Sequence, residues 1–257
     1  MKTTKKIAAV CAALMASVLA FGVTGGKEKS GVAAADGLAK EQAKLLKEKP
    51  APEADFEFRL TEDLNGVVLT KYKGKAKNVV IPATIEGLPV VMLGKESFYE
   101  AQVTSVVIPE GVEAIGRSAF AHSSVKTVVL PSTLKAICYE AFRSAESLRS
   151  INLPEGLVGI DGYAFCEAGI TSITLPKSLK YLAFQDINSL EEINIPEGIS
   201  AGNGDSSACP DFSRLFGGDK ISKNVALQKK LRDIKVAPDE ECKRIRESLK
   251  KYFDEEL

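Results

Sequence analysis

Aliphatic residues recur in columns along the middle of this chain. Six times between Val79 and Glu197 an aliphatic residue directly precedes proline: Ile81-Pro82, Ile108-Pro109, Leu130-Pro131, Leu153-Pro154, Leu175-Pro176 and Ile195-Pro196. These prolines stand 27, 22, 23, 22 and 20 residues apart. Three residues after the later prolines come Val112, Leu134, Leu157, Leu179 and Ile199, and six after come Ile115, Ile137, Ile160 and Leu182. An Ala-Phe pair follows at Ala119-Phe120, Ala141-Phe142 and Ala164-Phe165. Then Val103, Val125, Leu148, Ile170 and Leu190 stand three residues ahead of Val106, Val128, Ile151, Ile173 and Ile193. A fixed period near 22 residues is the signature of a solenoid.

The spacing has a local physical reading. The segment that ends at each proline alternates, as in Ser150-Ile151-Asn152-Leu153, which is the period of a strand with one buried face. Proline ends the strand because it has no N–H to give a ladder. Pro-Glu-Gly or Pro-Ser-Thr then makes a turn. A second short extended piece carries the Val/Leu and Ile columns back across the unit. One such unit cannot close a core. Stacked units can, with each column forming a continuous apolar ladder.

The motif Ile-Pro-x-x-Val-x-x-Ile-Gly-x-x-Ala-Phe, followed by Val/Leu-x-x-Val/Ile-x-Ile/Leu-Pro, resembles the BspA-type leucine-rich repeats of bacterial surface and secreted proteins. The resemblance runs from Phe56 to Ser200. It implies an α+β repeat solenoid: a right-handed coil with a parallel β-sheet on its concave face. It also implies binding and adhesion rather than catalysis. Two departures stand out. Cys138 and Asp161 occupy the position of Gly116, and the unit from Pro176 reads Ala183-Phe184-Gln185-Asp186, with its Ala-Phe pair early.

The flanks divide the rest of the chain. Lys2, Lys5 and Lys6 precede an apolar run from Ile7 to Val23, the pattern of a signal peptide. This gives residues 1–22 as the signal, with cleavage between 22 and 35. A retained anchor, or lipidation at Cys11, is the alternative. Residues 23–54 form a linker in which Ala35 to Lys49 makes a short charged helix, ended by Pro50-Ala51-Pro52. Residues 55–200 hold the solenoid. Its first element is a β-hairpin, with Asn65-Gly66 between Phe56-Glu57-Phe58 and Val67-Val68-Leu69, read as an N-terminal cap. Glu86 to Pro89 belongs to an inserted loop. Residues 201–257 form a turn-rich loop and a C-terminal helical cap, in which Pro238 starts a helix and Ile245, Leu249 and Phe253 make its apolar stripe. A helical module that recruits a partner is the other reading of that segment.

Composition narrows the function. Apolar content of 45% and charged content of 26% are ordinary for a folded soluble domain. Net charge is zero, so no nucleic-acid footprint is implied. The single histidine, His122, excludes Cys₂His₂ zinc and His-Glu-x-x-His sites. No P-loop, dinucleotide glycine pattern or Gly-x-Ser-x-Gly elbow occurs. No enzyme, no cofactor and no metal site are expected. Cys138, Cys166, Cys209 and Cys242 lie beyond the signal. The candidate disulfide is Cys209 with Cys242, against buried thiols throughout.

The outward face of the predicted sheet can be read from the alternation. Val80, Val107, Val129, Asn152, Thr174 and Asn194 form one outward column, and Asn78, Ser105, Thr127, Ser150, Ser172 and Glu192 another. The three valines make a narrow apolar stripe on strands about 4.8 Å apart. The candidate partner-binding residues are therefore Val80, Ser105, Val107, Lys126, Thr127, Val129, Arg149 and Asn152, with self-association through the stripe as a second use. With the resemblance, this points to a protein-binding module of an exported bacterial protein at the cell surface or secreted. A host matrix or receptor protein is the expected partner, and no integral membrane domain remains after signal cleavage. The alternative is a periplasmic or envelope scaffold that binds a protein of the same cell.

Overall fold

The computed structural model describes residues 40–182, 187, 189–196, 200–201, 235–236 and 239–253. The signal segment, the segment read as a loop after Ala201, residues 183–186 and Cys209 lie outside the described residues, as does the side chain of Cys242.

Two kinds of short parallel strand alternate along the chain. The hairpin strands β1 (Phe56–Leu60) and β2 (Val67–Tyr72) come first, then β3 (Asn78–Val80), β4 (Thr84–Ile85) and β5 (Leu88–Leu93). The repeats supply β6 (Ser105–Val107), β7 (Ala114–Ile115), β8 (Thr127–Val129), β9 (Ala136–Ile137), β10 (Ser150–Asn152), β11 (Gly159–Ile160), β12 (Ser172–Thr174), β13 (Tyr181–Leu182) and β14 (Glu192–Asn194). A separate pair, β15 (Ser200–Ala201) with β16 (Lys235–Val236), precedes α1 (Asp239–Phe253).

One ladder runs β1-β2-β5-β7-β9-β11-β13, with β4 on its side. The other wall consists of two three-stranded sheets, β3-β6-β8 and β10-β12-β14. The break between them has a local cause. Phe142 to Leu148 holds one residue more than Phe120 to Val125 or Phe165 to Ile170. That extra residue precedes β10 and shifts it out of the ladder of β8.

The core lies between the two walls and is built from the columns seen in the sequence. Ile115, Ile137 and Ile160 are fully buried, as are Val112, Leu134 and Leu157 and, from the other wall, Val106, Val128, Ile151, Ile173 and Ile193. The phenylalanines stack into one file. Ring centroids of Phe98, Phe120, Phe142 and Phe165 are 5.0, 5.1 and 5.3 Å apart in succession. Tyr72 and Phe56 extend the file into the hairpin. Gly94 and Gly116 carry the chain close to the preceding unit. A Cβ on Gly116 would stand 2.6 Å from the Leu93 carbonyl oxygen.

The bends around each phenylalanine use left-handed backbone. Glu96, Ser118, Glu140 and Tyr163 lie two residues before the ring and Glu100, His122, Ser144 and Glu167 two residues after, with φ between 52° and 58°. Each is a costly conformation for a non-glycine residue. It is held because the amides of the turn bond sideways: Phe120 N–H to Ala141 O (2.7 Å), and His122 N–H to Arg143 O (2.8 Å). The proline turns are also stitched sideways. Glu110 accepts from both the amide and the hydroxyl of Ser132, and Thr133 Oγ1 accepts from Gly111 N–H and donates to Val112 O. Stacking therefore satisfies polar groups that a lone unit would leave open.

Three local expectations are corrected or sharpened. The hairpin turn is a six-residue loop from Thr61 to Gly66, with Asn65-Gly66 at its end. Thr61 Oγ1 accepts from Gly66 N–H and donates to Asp63, which also accepts from Asn65 N–H, so side chains close the loop. The insertion at Glu86 to Pro89 is a second small hairpin rather than a loop. Both Glu86 and Gly87 have positive φ, the conformation of a two-residue hairpin turn, and they join β4 to β5 antiparallel. Within the segment read as a helix from Ala35 to Lys49, residues 40–45 are helical.

Candidate binding faces

Each wall of the solenoid has an outward face, and each carries columns in strict register. On the larger ladder Val68, Met92, Ala114, Ala136, Gly159 and Tyr181 stand side by side. The middle three are small, so they leave a trough between bulkier ends. The helix α1 lies in it. Leu249 is buried with Tyr181, against which Ile245 and Phe253 also pack, and Tyr252 and Phe253 pack on the Met92, Ala114 and Ala136 column. A Cβ on Gly159 would stand 2.4 Å from Leu249 Cδ1 and 3.0 Å from Phe253 Cζ. The stripe Ile245, Leu249, Phe253 is thus the docking stripe of the helix. Its place is the flank of the ladder from β7 to β13, not the end of the stack where a cap was expected.

Polar contacts fix the helix end. The Cys138 thiol donates to Tyr252 O (3.0 Å), and Tyr252 OH donates to Glu113 Oε2 (2.8 Å). Lys251 Nζ lies 3.8 Å from the same carboxylate and 4.4 Å from the Tyr252 ring centroid. Burial, then the bond to Glu113, pushes the Tyr252 phenol above its ordinary value. Contact with Tyr252 and then Glu113 raises Lys251. Cys138, which replaces glycine in its column, supplies the thiol that meets α1. Cys166 is buried as well.

The other wall carries the sequence-predicted residues, and the structure divides them. In register on β3, β6 and β8 are Asn78, Ser105 and Thr127, and Val80, Val107 and Val129. In register on β10, β12 and β14 are Ser150, Ser172 and Glu192, and Asn152, Thr174 and Asn194. The second half is open. Asn152, Ser172, Thr174, Glu192 and Asn194 are exposed, and so are Lys126 and Arg149. The first half is covered except at Asn78, against the expectation of an exposed stripe. Ser105, Val107 and Thr127 are buried, at 2%, 6% and 2% exposure, and Val80 and Val129 are half-buried. Upstream chain is bonded on both sides of this half. Asn152 Nδ2 donates to Gln42 Oε1 (3.2 Å), and Ala51 N–H donates to Val80 O (2.8 Å). The chain between Gln42 and Ala51 therefore passes from β10 to the edge of β3, and Leu45 on it is buried.

Among the described residues no group of three or more His, Cys, Asp or Glu side chains is placed to hold a metal ion. No helix among them is long and apolar enough to cross a membrane. His122 is exposed at a left-handed bend, edge-on to Tyr99 at 5.7 Å.

Two parallel walls around a file of stacked phenylalanines, with contacts repeating every 22 or 23 residues, define a leucine-rich-repeat solenoid. Residues 91–206 match the family model described as the BspA type leucine rich repeat region, in six copies, and this repeat region belongs to that family. Among solved structures, the chain resembles a leucine-rich repeat protein of T. pallidum. The two are 26% identical over 74% of this chain and all of the other, with a TM-score of 0.57. A leucine-rich repeat protein of Bacteroides ovatus is similar at 25% identity over 58% of this chain and 42% of its own, with a TM-score of 0.52. No curated protein matches the chain. Leucine-rich repeats are commonly protein-binding modules and generally non-catalytic.

Proposed function

We propose that this is the protein-binding module of an exported bacterial protein, adhesin-like, which attaches to host proteins through the smaller-stranded wall of its solenoid. The observation that supports this most is the open half of that wall. Asn152, Thr174 and Asn194 stand in one exposed row with Ser172 and Glu192 beside them, and Arg149 and Lys126 are exposed nearby. A regular sheet holds these groups at fixed spacing, so little ordering entropy is lost when a partner binds. The amino-terminal Lys-rich and apolar stretch of the sequence supports export.

The test has two arms. The exported form is applied to immobilised host matrix and serum proteins, as wild type and as Asn152→Arg with Thr174→Arg. Binding by wild type that is lost in the folded double variant supports attachment through this face. Binding that survives the double variant removes the face from the function. Intact cells are then treated with protease. Degradation supports a surface location. Survival until the outer envelope is opened replaces it with a periplasmic scaffold.

A further inference from the structure

The larger ladder ends on an edge strand. Its order begins at β1, and among the described residues no strand lies beyond it. Parity gives the direction of the backbone groups along β1. Lys73 N–H donates to Asp55 O (2.7 Å) and Thr61 N–H donates to Gly66 O (2.9 Å). The register of β1 with β2 skips Thr70 of β2, so the count along β1 is unbroken. Odd-numbered residues of β1 therefore turn their backbone groups to β2, and even-numbered ones turn theirs away. Phe56 N–H turns back to Glu53 O. That leaves Phe58 N–H and O, and Leu60 N–H, directed outward at the edge, where an added strand bonds them.

The side chains at this edge say which strand fits. β1 reads Phe56-Glu57-Phe58-Arg59-Leu60. Two copies run antiparallel about Phe58 place Glu57 opposite Arg59, Phe58 opposite Phe58 and Phe56 opposite Leu60. Directly opposite residues have Cβ atoms about 4.5–5.5 Å apart, so each Arg59 meets Glu57 of the second copy. Arg59 lacks an acidic partner within its own chain. Its Nη1 donates to the neighbouring Leu60 O at 3.4 Å, and its Nη2 finds no acceptor. Glu57 is exposed, and Lys73 Nζ lies 3.6 Å from its Oε1. Leu60, 41% exposed, would stand beside Phe56 of the second copy. An edge guarded against self-pairing carries like charges or proline. This one carries opposite charges at positions that a two-fold axis brings together.

We infer that β1 is a self-association edge, and that its occupant is β1 of a second copy, paired antiparallel across a two-fold axis at Phe58. The contact is isologous, with the same five residues used by both copies. It joins the two larger ladders into one continuous sheet. It uses no residue of the open half of the smaller-stranded wall, so the inference stands apart from the partner which that wall takes, and the dimer displays two such walls. One short strand from each copy makes a small interface, so the dimer forms and separates with concentration.

Sedimentation of the exported form over a wide concentration range reads the mass, and far-ultraviolet circular dichroism reads the fold. Wild type is expected to pass from one chain mass to two as concentration rises. Glu57→Arg sets arginine opposite Arg59, and Arg59→Glu sets glutamate opposite Glu57. Each variant alone should stay at one chain mass with the β signal of wild type. An equal mixture of the two should regain the mass of two chains, because every facing charged pair is then arginine with glutamate. A wild type that keeps one chain mass throughout would overturn the inference. So would a dimer that persists in both folded variants, or a mixture of them that stays monomeric. Were the variants to lose the β signal, hydrogen exchange of wild type decides. The Phe58 amide should exchange several-fold more slowly in concentrated than in dilute solution, and an equal rate in both would remove β1 from any interface.

Discussion

The rings of Phe120 and Phe142 lie 5.1 Å apart and within 2° of parallel. At that centroid distance parallel rings are offset rather than face to face, which is the favoured aromatic geometry. Both are fully buried. Phe142 also stacks on Phe165, so it is gripped from both sides. Phe142→Ala is expected to cost about 3–5 kcal/mol, the loss of a large buried side chain plus the cavity left behind. A double-mutant cycle with Phe120→Leu and Phe142→Leu should show coupling of roughly 0.5–1.5 kcal/mol. Urea unfolding measures both, and additive losses would mean that the stacking contributes nothing beyond burial.

Gly159 is placed where a helix touches a sheet. A Cβ there would stand 2.4 Å from Leu249 Cδ1, a distance that real atoms do not keep. Gly159→Val is expected to lift α1 from the trough while the ladder persists, because valine suits a strand. The cost should be about 1–3 kcal/mol, typical of overpacking. Limited proteolysis should then cut between Lys243 and Lys251 faster than in wild type. Equal cleavage rates would show that α1 tolerates the added side chain.

Tyr252 predicts a pH dependence. Burial raises its phenol above the ordinary value of 10.0, and so does the bond to Glu113. A folded-state value above the unfolded one means that docking gains stability from this group below pH about 10. That stability is lost as pH rises through the folded value. Lys251, raised by Tyr252 and Glu113, adds a loss of the same sign on the alkaline side. Protease sensitivity of α1 should therefore increase on the alkaline side. Tyr252→Phe should flatten the part of that rise due to the phenol and weaken docking at neutral pH by about 1 kcal/mol, the net worth of one hydrogen bond. An unchanged alkaline profile in Tyr252→Phe would place the titration elsewhere.

The inner columns were legible because period and burial coincide in them. Every Ile six residues after a proline, and every Val or Ile three residues before one, faces the core. The outer faces were legible only as far as alternation reaches. Alternation gives the side on which Ser105 and Val107 lie, but not that they are buried there, because burial by sequence-distant chain leaves no local mark. The trough for α1 had a sequence signal that spacing alone did not interpret. Ala114, Ala136 and Gly159 precede the buried isoleucines, and small residues in successive strands are poor strand formers. Their presence makes sense once a helix rests on them. Glu86 to Pro89 was visible only as an inserted loop, and the pairing of Thr84-Ile85 with Leu88-Pro89 makes it a hairpin.

Ser97 departs from its column in a way that can be tested for stability. It stands directly before Phe98, where the following repeats have Ala119, Ala141 and Ala164. Those alanines are buried, and so is Ser97, at 1% exposure. Its hydroxyl finds no hydrogen-bond partner among the described residues. A buried polar atom left unpaired costs about 1–3 kcal/mol. Ser97→Ala removes only that oxygen and restores the column, so the backbone bond from Tyr72 N–H to Ser97 O (2.7 Å) is untouched. The expected result is a gain of about 1 kcal/mol, seen as a higher urea midpoint with an unchanged slope. A loss of stability would mean that the Ser97 hydroxyl is satisfied by an ordered water that alanine cannot hold, and would assign that water a structural role at the first stacked phenylalanine.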